Sequence, residues 1–341
     1  MAVWAMELLR PNQELWEHFT RREEYGTNHL DEHGRFPSTA TVHGPLLEPR
    51  VSRYLVDKGL KVDYPDGKRF AVCLTHDVDL LKPSSLRNIR LPGPVKSALR
   101  LVSRKFRAAW SFDEIMDLEQ SFGAKSTFFF MALHQGERDF NYDALHLQKE
   151  MKNILQRGWG IGLHGGHEAS VDLELLKAEK ARLERSLGRS VLSYRNHYMK
   201  LKVPATWRNL SAAGFKTDST LGYAGSIGFR NGMCHPFKPY DLDSESTIDL
   251  IELPLAVMDT TLYSYMGLDS SKAWEATKPL IDRVMQLNGV FTLLWHNTYM
   301  LGDKLELYRK ILEYCHGKGA WMTDADEIAK WWRDHGCFGT G

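Results

Sequence analysis

Charge of one sign is what this chain most clearly lacks. Its 44 lysines and arginines face 43 aspartates and glutamates, for a net charge of +1. That balance gives no general pull toward nucleic acid or an anionic membrane surface. Cysteine is scarce: Cys73, Cys234, Cys315 and Cys337 stand far apart, without the close pairs that hold structural zinc or the density of a disulfide scaffold. Cys73 lies in an apolar stretch and Cys315 in a helical one, so both read as reduced, buried thiols of the kind a cytosol keeps. No apolar run approaches the roughly 20 residues of a membrane span. The first residues lack a basic stretch followed by a long apolar one, so no secretory signal is expected. There is no Gly-x-Ser-x-Gly elbow and no glycine-rich phosphate loop, which disfavours serine hydrolases and nucleotide enzymes. No internal repeat is evident. The expectation is a cytoplasmic globular protein with no nucleic-acid partner and no transmembrane segment.

The chain has 341 residues, 43% of them hydrophobic, enough for two domains or for one α/β barrel with an extension. Residues 1–66 are polar, with Trp4, Trp16 and Phe19 as scattered anchors and Pro37, Pro45, Pro49 and Pro65 as helix breakers. They predict a short helix near 12–22 and an irregular arm packed on the main domain. A basic cluster spans Lys82 to Arg107. It reads as a solvated face, with contact to an anionic substrate as the alternative. From residue 69 the pattern alternates between apolar β-rich runs and amphipathic windows. Strands are expected at 70–75, 126–131, 160–163, 191–194, 216–218, 250–253, 290–294 and 320–322. Helices are expected at 112–122, 143–157, 172–187, 204–213, 271–287, 304–316 and 324–333. Strands separated by helices imply a parallel sheet, and this many imply a distorted (β/α) barrel over residues 67–335.

In such barrels chemistry sits where strands end on the C-terminal face. The apolar run from Phe70 to Leu74 ends in Thr75-His76-Asp77-Val78-Asp79. Asp77 and Asp79 alternate, so both can face one side. Later strand ends carry His164-Gly165-Gly166-His167-Glu168, Arg195-Asn196-His197-Tyr198, Asp218-Ser219-Thr220-Leu221-Gly222-Tyr223 and Trp295-His296-Asn297. Imidazoles and carboxylates in this mixture suit a divalent metal with an open coordination position, of which zinc is the first choice and cobalt, manganese or nickel the alternatives. One more carboxylate can take a proton from water, and one more imidazole can give a proton to a leaving group. His76 reads as a packed strand-end histidine.

Taken together, these five motifs resemble, in order, those of the polysaccharide deacetylases, the carbohydrate esterases with a NodB-type barrel. The resemblance covers residues 69–300, in a divergent branch whose first motif is Asp-Val-Asp. It implies a hydrolase that removes an acetyl group from an N-acetylated amino sugar of a surface glycan, glycolipid or sugar precursor. It implies Asp77 as the base for the attacking water, and Arg195 as the cation that keeps Asp77 ionised. His296 would be the general acid, and Asp218 would orient it. Asp79 and His164 would be metal ligands. The second motif departs from the family pattern, with His167 three residues after His164 and Glu168 at the usual fourth position. The third ligand is thus open among His197, His167 and Glu168, with His197 preferred.

Substrate contacts are expected from Tyr198, Tyr223 and Trp295 by stacking, and from Arg230 and His235 in the loop after the fifth motif. The main-chain N–H of Tyr198 is a candidate oxyanion donor. Asp259 is a cleft-lining candidate without an assigned role. The alternatives to a glycan deacetylase are a small-amide hydrolase of the allantoinase kind and a non-catalytic sugar-binding protein. Fold alone does not choose among them.

Overall fold

The computed structural model describes residues 3–81 and 112–335. The basic cluster from Lys82 to Arg107 and Cys337 lie outside the described residues. The strands are β1 (Phe70–Val78), β2 (Thr127–Met131), β3 (Gly160–Gly165), β4 (Ser193–Asn196), β5 (Thr217–Asp218), β6 (Tyr240–Asp241), β7 (Ser246–Thr247), β8 (Ile251–Glu252), β9 (Leu255–Met258), β10 (Val290–Leu294) and β11 (Ala320–Thr323). The sheet runs β8-β5-β4-β3-β2-β1-β10-β9, with β11 also on β1, and every pairing in it is parallel. β6 and β7 form a separate antiparallel pair. All nine residues of β1 are buried. Helices outside and side chains inside cover both its faces, which is why it reads as an unbroken apolar run.

Residues 251–258 close the ring. Their first half pairs with β5 and their second half with β10. Pro254 cannot donate to a ladder and divides the segment in two. The expected strand at 250–253 is therefore only the first part of a longer crossing. The helices outside carry ordinary signals. Asp172 accepts from the N–H groups of Glu174 and Leu175, both at 3.0 Å, to start the helix Leu173–Leu187, and Gly188 ends it at φ 71°.

The N-terminal arm has helices Val3–Leu9, Gln13–Thr20 and Arg50–Asp57. It docks on the loop at 228–235. Arg21 and Arg230 share the Glu24 carboxylate, with Arg21 Nε and Arg230 Nε donating to Oε1 at 2.7 and 2.9 Å. Arg21 also donates to the Arg230 carbonyl at 2.6 Å and to the Tyr223 hydroxyl at 3.0 Å. Ser52 Oγ accepts from the Cys234 N–H and lies 2.9 Å from His235 Nδ1. The seam is close enough to require glycine twice. A Cβ on Gly228 would sit 2.4 Å from the Leu46 carbonyl, and one on Gly232 2.8 Å from the His18 ring. Both also have positive φ, +126° and +71°.

Candidate active site

Arg195, at the end of β4, is fully buried and has an acceptor for most of its donors. Nη1 donates to Thr75 Oγ1 at 2.7 Å and to Asp77 Oδ1 at 3.1 Å. Nε and Nη2 donate to the carbonyl and hydroxyl of Ser219 at 2.9 and 2.6 Å. Asp77 is thereby fixed on one oxygen, while Oδ2 points toward His164 Nε2 at 3.7 Å. His76, one residue earlier, faces the other side of β1. Its Nδ1 is 2.6 Å from the Trp295 carbonyl and its Nε2 is 2.8 Å from Glu119. It pins the backbone next to His296 from behind.

Asp79, His164 and His197 converge from three strand ends. His164 Nε2 is 3.1 Å from both Asp79 Oδ1 and His197 Nδ1, which are 3.6 Å from each other. The other ring nitrogen of His164 lies 3.1 Å from the Arg195 carbonyl. A carbonyl can only accept, so Nδ1 carries the proton and Nε2 turns a lone pair to the cluster. Asp79 Oδ1 is buried without a well-formed hydrogen bond among the described residues. Acceptor atoms facing one another at these distances call for a positive charge between them. Two imidazole nitrogens and one carboxylate oxygen fit a divalent cation with an open position.

These groups also shift one another's protonation. Burial works against the charge on Asp79, but His197, His164 and His296 outweigh it and hold the carboxyl well below its usual range. Burial also opposes charge on His164, but Asp77 and Asp79 outweigh it and raise its pKa. Burial lowers His197 to about 4, against the pull of Asp79, so this ring is neutral and ligand-ready at pH 7.

His296 follows β10, with Nε2 3.5 Å from Asp79 Oδ2. Its partner corrects the expectation. Asp259, just past β9, sits 2.6 Å from Nδ1 through Oδ1 and accepts the His296 main-chain N–H at 2.6 Å through Oδ2. Asp218 instead accepts from the N–H and hydroxyl of Thr220 at 3.1 and 2.5 Å. It is fully buried and faces the Glu252 carboxyl. Burial raises both carboxyls, Glu252 well above its ordinary value, as two facing acids keep one proton between them.

Five further expectations change place. His167 turns to Glu168 Oε1 at 2.5 Å and Lys200 at 3.3 Å, outside the Asp79–His164–His197 cluster. His235 is buried between Ser52 and the Leu287 carbonyl, with its pKa lowered by burial to about 4. Arg230 is committed to Glu24 and to the Gly222 carbonyl, at 2.9 Å. Trp295 is fully buried against Tyr263 and Tyr308, out of reach of a sugar ring. Tyr223 lies in the seam between arm and barrel, its hydroxyl held by Arg21.

Tyr198 stands at the mouth, half-buried, and stacks on His33 of the arm with ring centroids 4.5 Å apart. Tyr198 and Met199 have φ of 60° and 58°, a region that non-glycine residues seldom occupy. Arg35 of the arm donates to the Tyr198 carbonyl at 3.1 Å and helps hold that turn. The Tyr198 hydroxyl donates to Asp139 Oδ1 at 3.2 Å, and Asp139 Oδ2 lies 3.9 Å from His197 Nε2. Asp139 is a site residue that the sequence did not single out. It falls eight residues beyond β2, in a loop without periodicity.

This ring of strand ends has a counterpart in solved structures. A protein assigned as a polysaccharide deacetylase from Mycobacterium smegmatis superimposes with a TM-score of 0.58 and 22% identity, over 81% of this chain and 94% of that one. The chain has the polysaccharide deacetylase fold. A family 4 carbohydrate esterase from Streptomyces lividans, solved with acetate, gives a TM-score of 0.41 at 12% identity, over 75% and 92% of the two chains. A peptidoglycan deacetylase mutant from Bacillus subtilis gives 0.39 at 13%, over 80% and 96%. No family model and no curated protein matches the sequence. No helix among the described residues is long and apolar enough to cross a membrane.

Proposed function

We propose that this protein is a metal-dependent hydrolase that removes an acetyl group from an N-acetylated amino sugar in a surface glycan, glycolipid or sugar precursor. The observation that carries the reading is the placement of two proton-handling groups beside one cation cluster. Asp77 Oδ2 and His296 Nε2 both face the Asp79–His164–His197 group, at 3.7 Å from His164 and 3.5 Å from Asp79. A non-catalytic sugar binder has no need of such a pair.

Asp79, His164 and His197 would hold a divalent ion, zinc by preference for this donor set. When bound, that ion makes water acidic and polarises the acetyl carbonyl. Asp77 takes the proton of the attacking water on Oδ2, while Arg195 holds Oδ1. The main-chain N–H of Tyr198 is the candidate donor to the developing oxyanion. His296 gives its Nε2 proton to the departing amine, and Asp259 keeps the ring in place through Nδ1. The products are acetate and a free amino sugar.

The arm beside Tyr198 also suits a smaller amide, which is the second reading. Acetate release from N-acetylglucosamine and its short oligomers, set against ring opening of allantoin, separates the two. Release that stops with a chelator and returns with zinc supports the deacetylase. Turnover of allantoin alone would sink it.

A further inference from the structure

His197 turns Nδ1 to the cluster, 3.1 Å from His164 Nε2 and 3.6 Å from Asp79 Oδ1. Its Nε2 instead faces the loop after β2, where Asp139 Oδ2 lies 3.9 Å away. That oxygen is buried and has no hydrogen-bond partner among the described residues. The other carboxylate oxygen is anchored, accepting from the Tyr198 hydroxyl at 3.2 Å. Arg138 Nε sits 3.6 Å from Oδ2, beyond hydrogen-bond range, on a side chain that is about half exposed. Asp139 therefore holds one oxygen at the mouth and presents an unsatisfied acceptor to the far nitrogen of a metal-ligand candidate.

Resting on the metal-ligand assignment of the proposed function, we propose that Asp139 is a positioning residue for the metal. Its carboxylate takes the Nε2 proton of His197 as a hydrogen bond and so keeps the Nδ1 lone pair turned to the cation held with Asp79 and His164. Three observations carry the assignment. First, a neutral imidazole has one proton, and a ring that ligates through one nitrogen must carry that proton on the other. His164 places its own at the Arg195 carbonyl, 3.1 Å away. Asp139 is the corresponding acceptor for His197. Second, Asp79 is the one carboxylate in the three-residue cluster, so a divalent ion there keeps an excess positive charge. Asp139 adds a negative charge through the ring and leaves the open coordination position to water. Third, the bond that fixes Asp139 joins two residues in uncommon backbone. Asp139 has φ of 67° and Tyr198 of 60°. Such conformations persist only where the surroundings hold them. The mouth aromatic thereby sets the carboxylate, and the carboxylate sets the ligand.

The left-handed backbone at Asp139 chooses the variants. Glycine and asparagine both tolerate that φ, so Asp139→Gly removes the acceptor and Asp139→Asn removes only its charge, each without new backbone strain. Zinc affinity is read by competition with a chromophoric chelator, with no substrate present. The full-length parent, the two variants, His197→Ala and the double variant Asp139→Gly/His197→Ala are compared. Asp139→Gly should weaken zinc binding by roughly 10–100-fold and Asp139→Asn by less. The double variant should bind zinc no more weakly than His197→Ala alone, because the carboxylate acts only through that ring. Parental affinity in Asp139→Gly, or the same fold-loss from Asp139→Gly whether or not His197 is present, overturns the proposal. Parental affinity in His197→Ala, or no zinc binding by the parent, overturns the metal assignment and this proposal with it. Acetate release plays no part in the readout, so a protein that shows this coupling and hydrolyses nothing sinks the deacetylase reading and leaves Asp139 in its role.

Discussion

Oδ1 of Asp259 lies 2.6 Å from His296 Nδ1, and Oδ2 of the same carboxylate accepts the His296 main-chain N–H at 2.6 Å. One side chain thus sets both the ring and the backbone of the proposed acid. Burial opposes charge on His296, but Asp259, with Asp79 and Asp77, outweighs it and raises the pKa to about 10. The ring therefore carries its proton at neutral pH. Asp259→Asn should lower kcat by roughly 100-fold with bound metal unchanged, within the range that general acid catalysis supplies. Asp218→Asn should leave kcat per folded molecule within a few-fold. The reverse ranking of the two variants would return the orienting role to Asp218.

Asp77 and Asp79 are separated by one residue yet have different surroundings. Asp77 is tied to Arg195, whereas Asp79 is in the imidazole cluster. Asp77→Asn should abolish acetate release, by ~10³-fold or more, while elemental analysis finds the parent metal content. Asp79→Asn should lose both. Near-parental activity of Asp77→Asn would remove Asp77 as the base.

The arm is welded on by a buried charge cluster rather than by apolar contact alone. Glu24 is shared between two guanidinium groups that are themselves almost fully buried. Glu24→Gln leaves Arg230 without a carboxylate partner and Arg21 with Glu23 alone, and should cost about 3–5 kcal/mol in denaturant unfolding. A change under ~1 kcal/mol would mean that the arm contributes little to the stability of the barrel.

Asp324 caps the helix Ala325–His335 by accepting the Glu327 N–H at 2.9 Å, yet it is buried. Burial, helped by Asp326 and Glu327, raises its pKa to about 7. The native state therefore binds this proton more tightly than the unfolded chain, and the associated stability is complete below pH ~4. It is lost as pH rises toward 7. Asparagine keeps the cap and cannot ionise. Asp324→Asn should match the parent at pH 4 and exceed it by on the order of 2 kcal/mol at pH 8. No gain at pH 8 would mean that burial does not raise the Asp324 pKa in the native state.

The barrel was legible because its strands are apolar runs that change character abruptly where they end. Asp77, Asp79, His164, Arg195, His197 and His296 all sit at such a change, and the structure brings them together. Asp259 sits at one too. Pro254 splits that strand, so residues 255–258 did not read as a strand and their end carried no role. Asp139 lies in a loop, where sequence spacing does not determine position. The loop at 228–235 misled for a different reason. Its arginine and histidine are as polar as a binding loop requires, and only the fold shows that the arm occupies the face they point to. His167 and His197 were indistinguishable by residue type; the orientation of strand ends β3 and β4 separates them.

The most direct test is the metal content and acetate release of His197→Ala beside His167→Ala. The arrangement of Asp79, His164 and His197 requires that His197→Ala lose most of its bound zinc and its activity, while His167→Ala keeps the metal and activity within a few-fold. Full zinc occupancy and full activity in His197→Ala would contradict it.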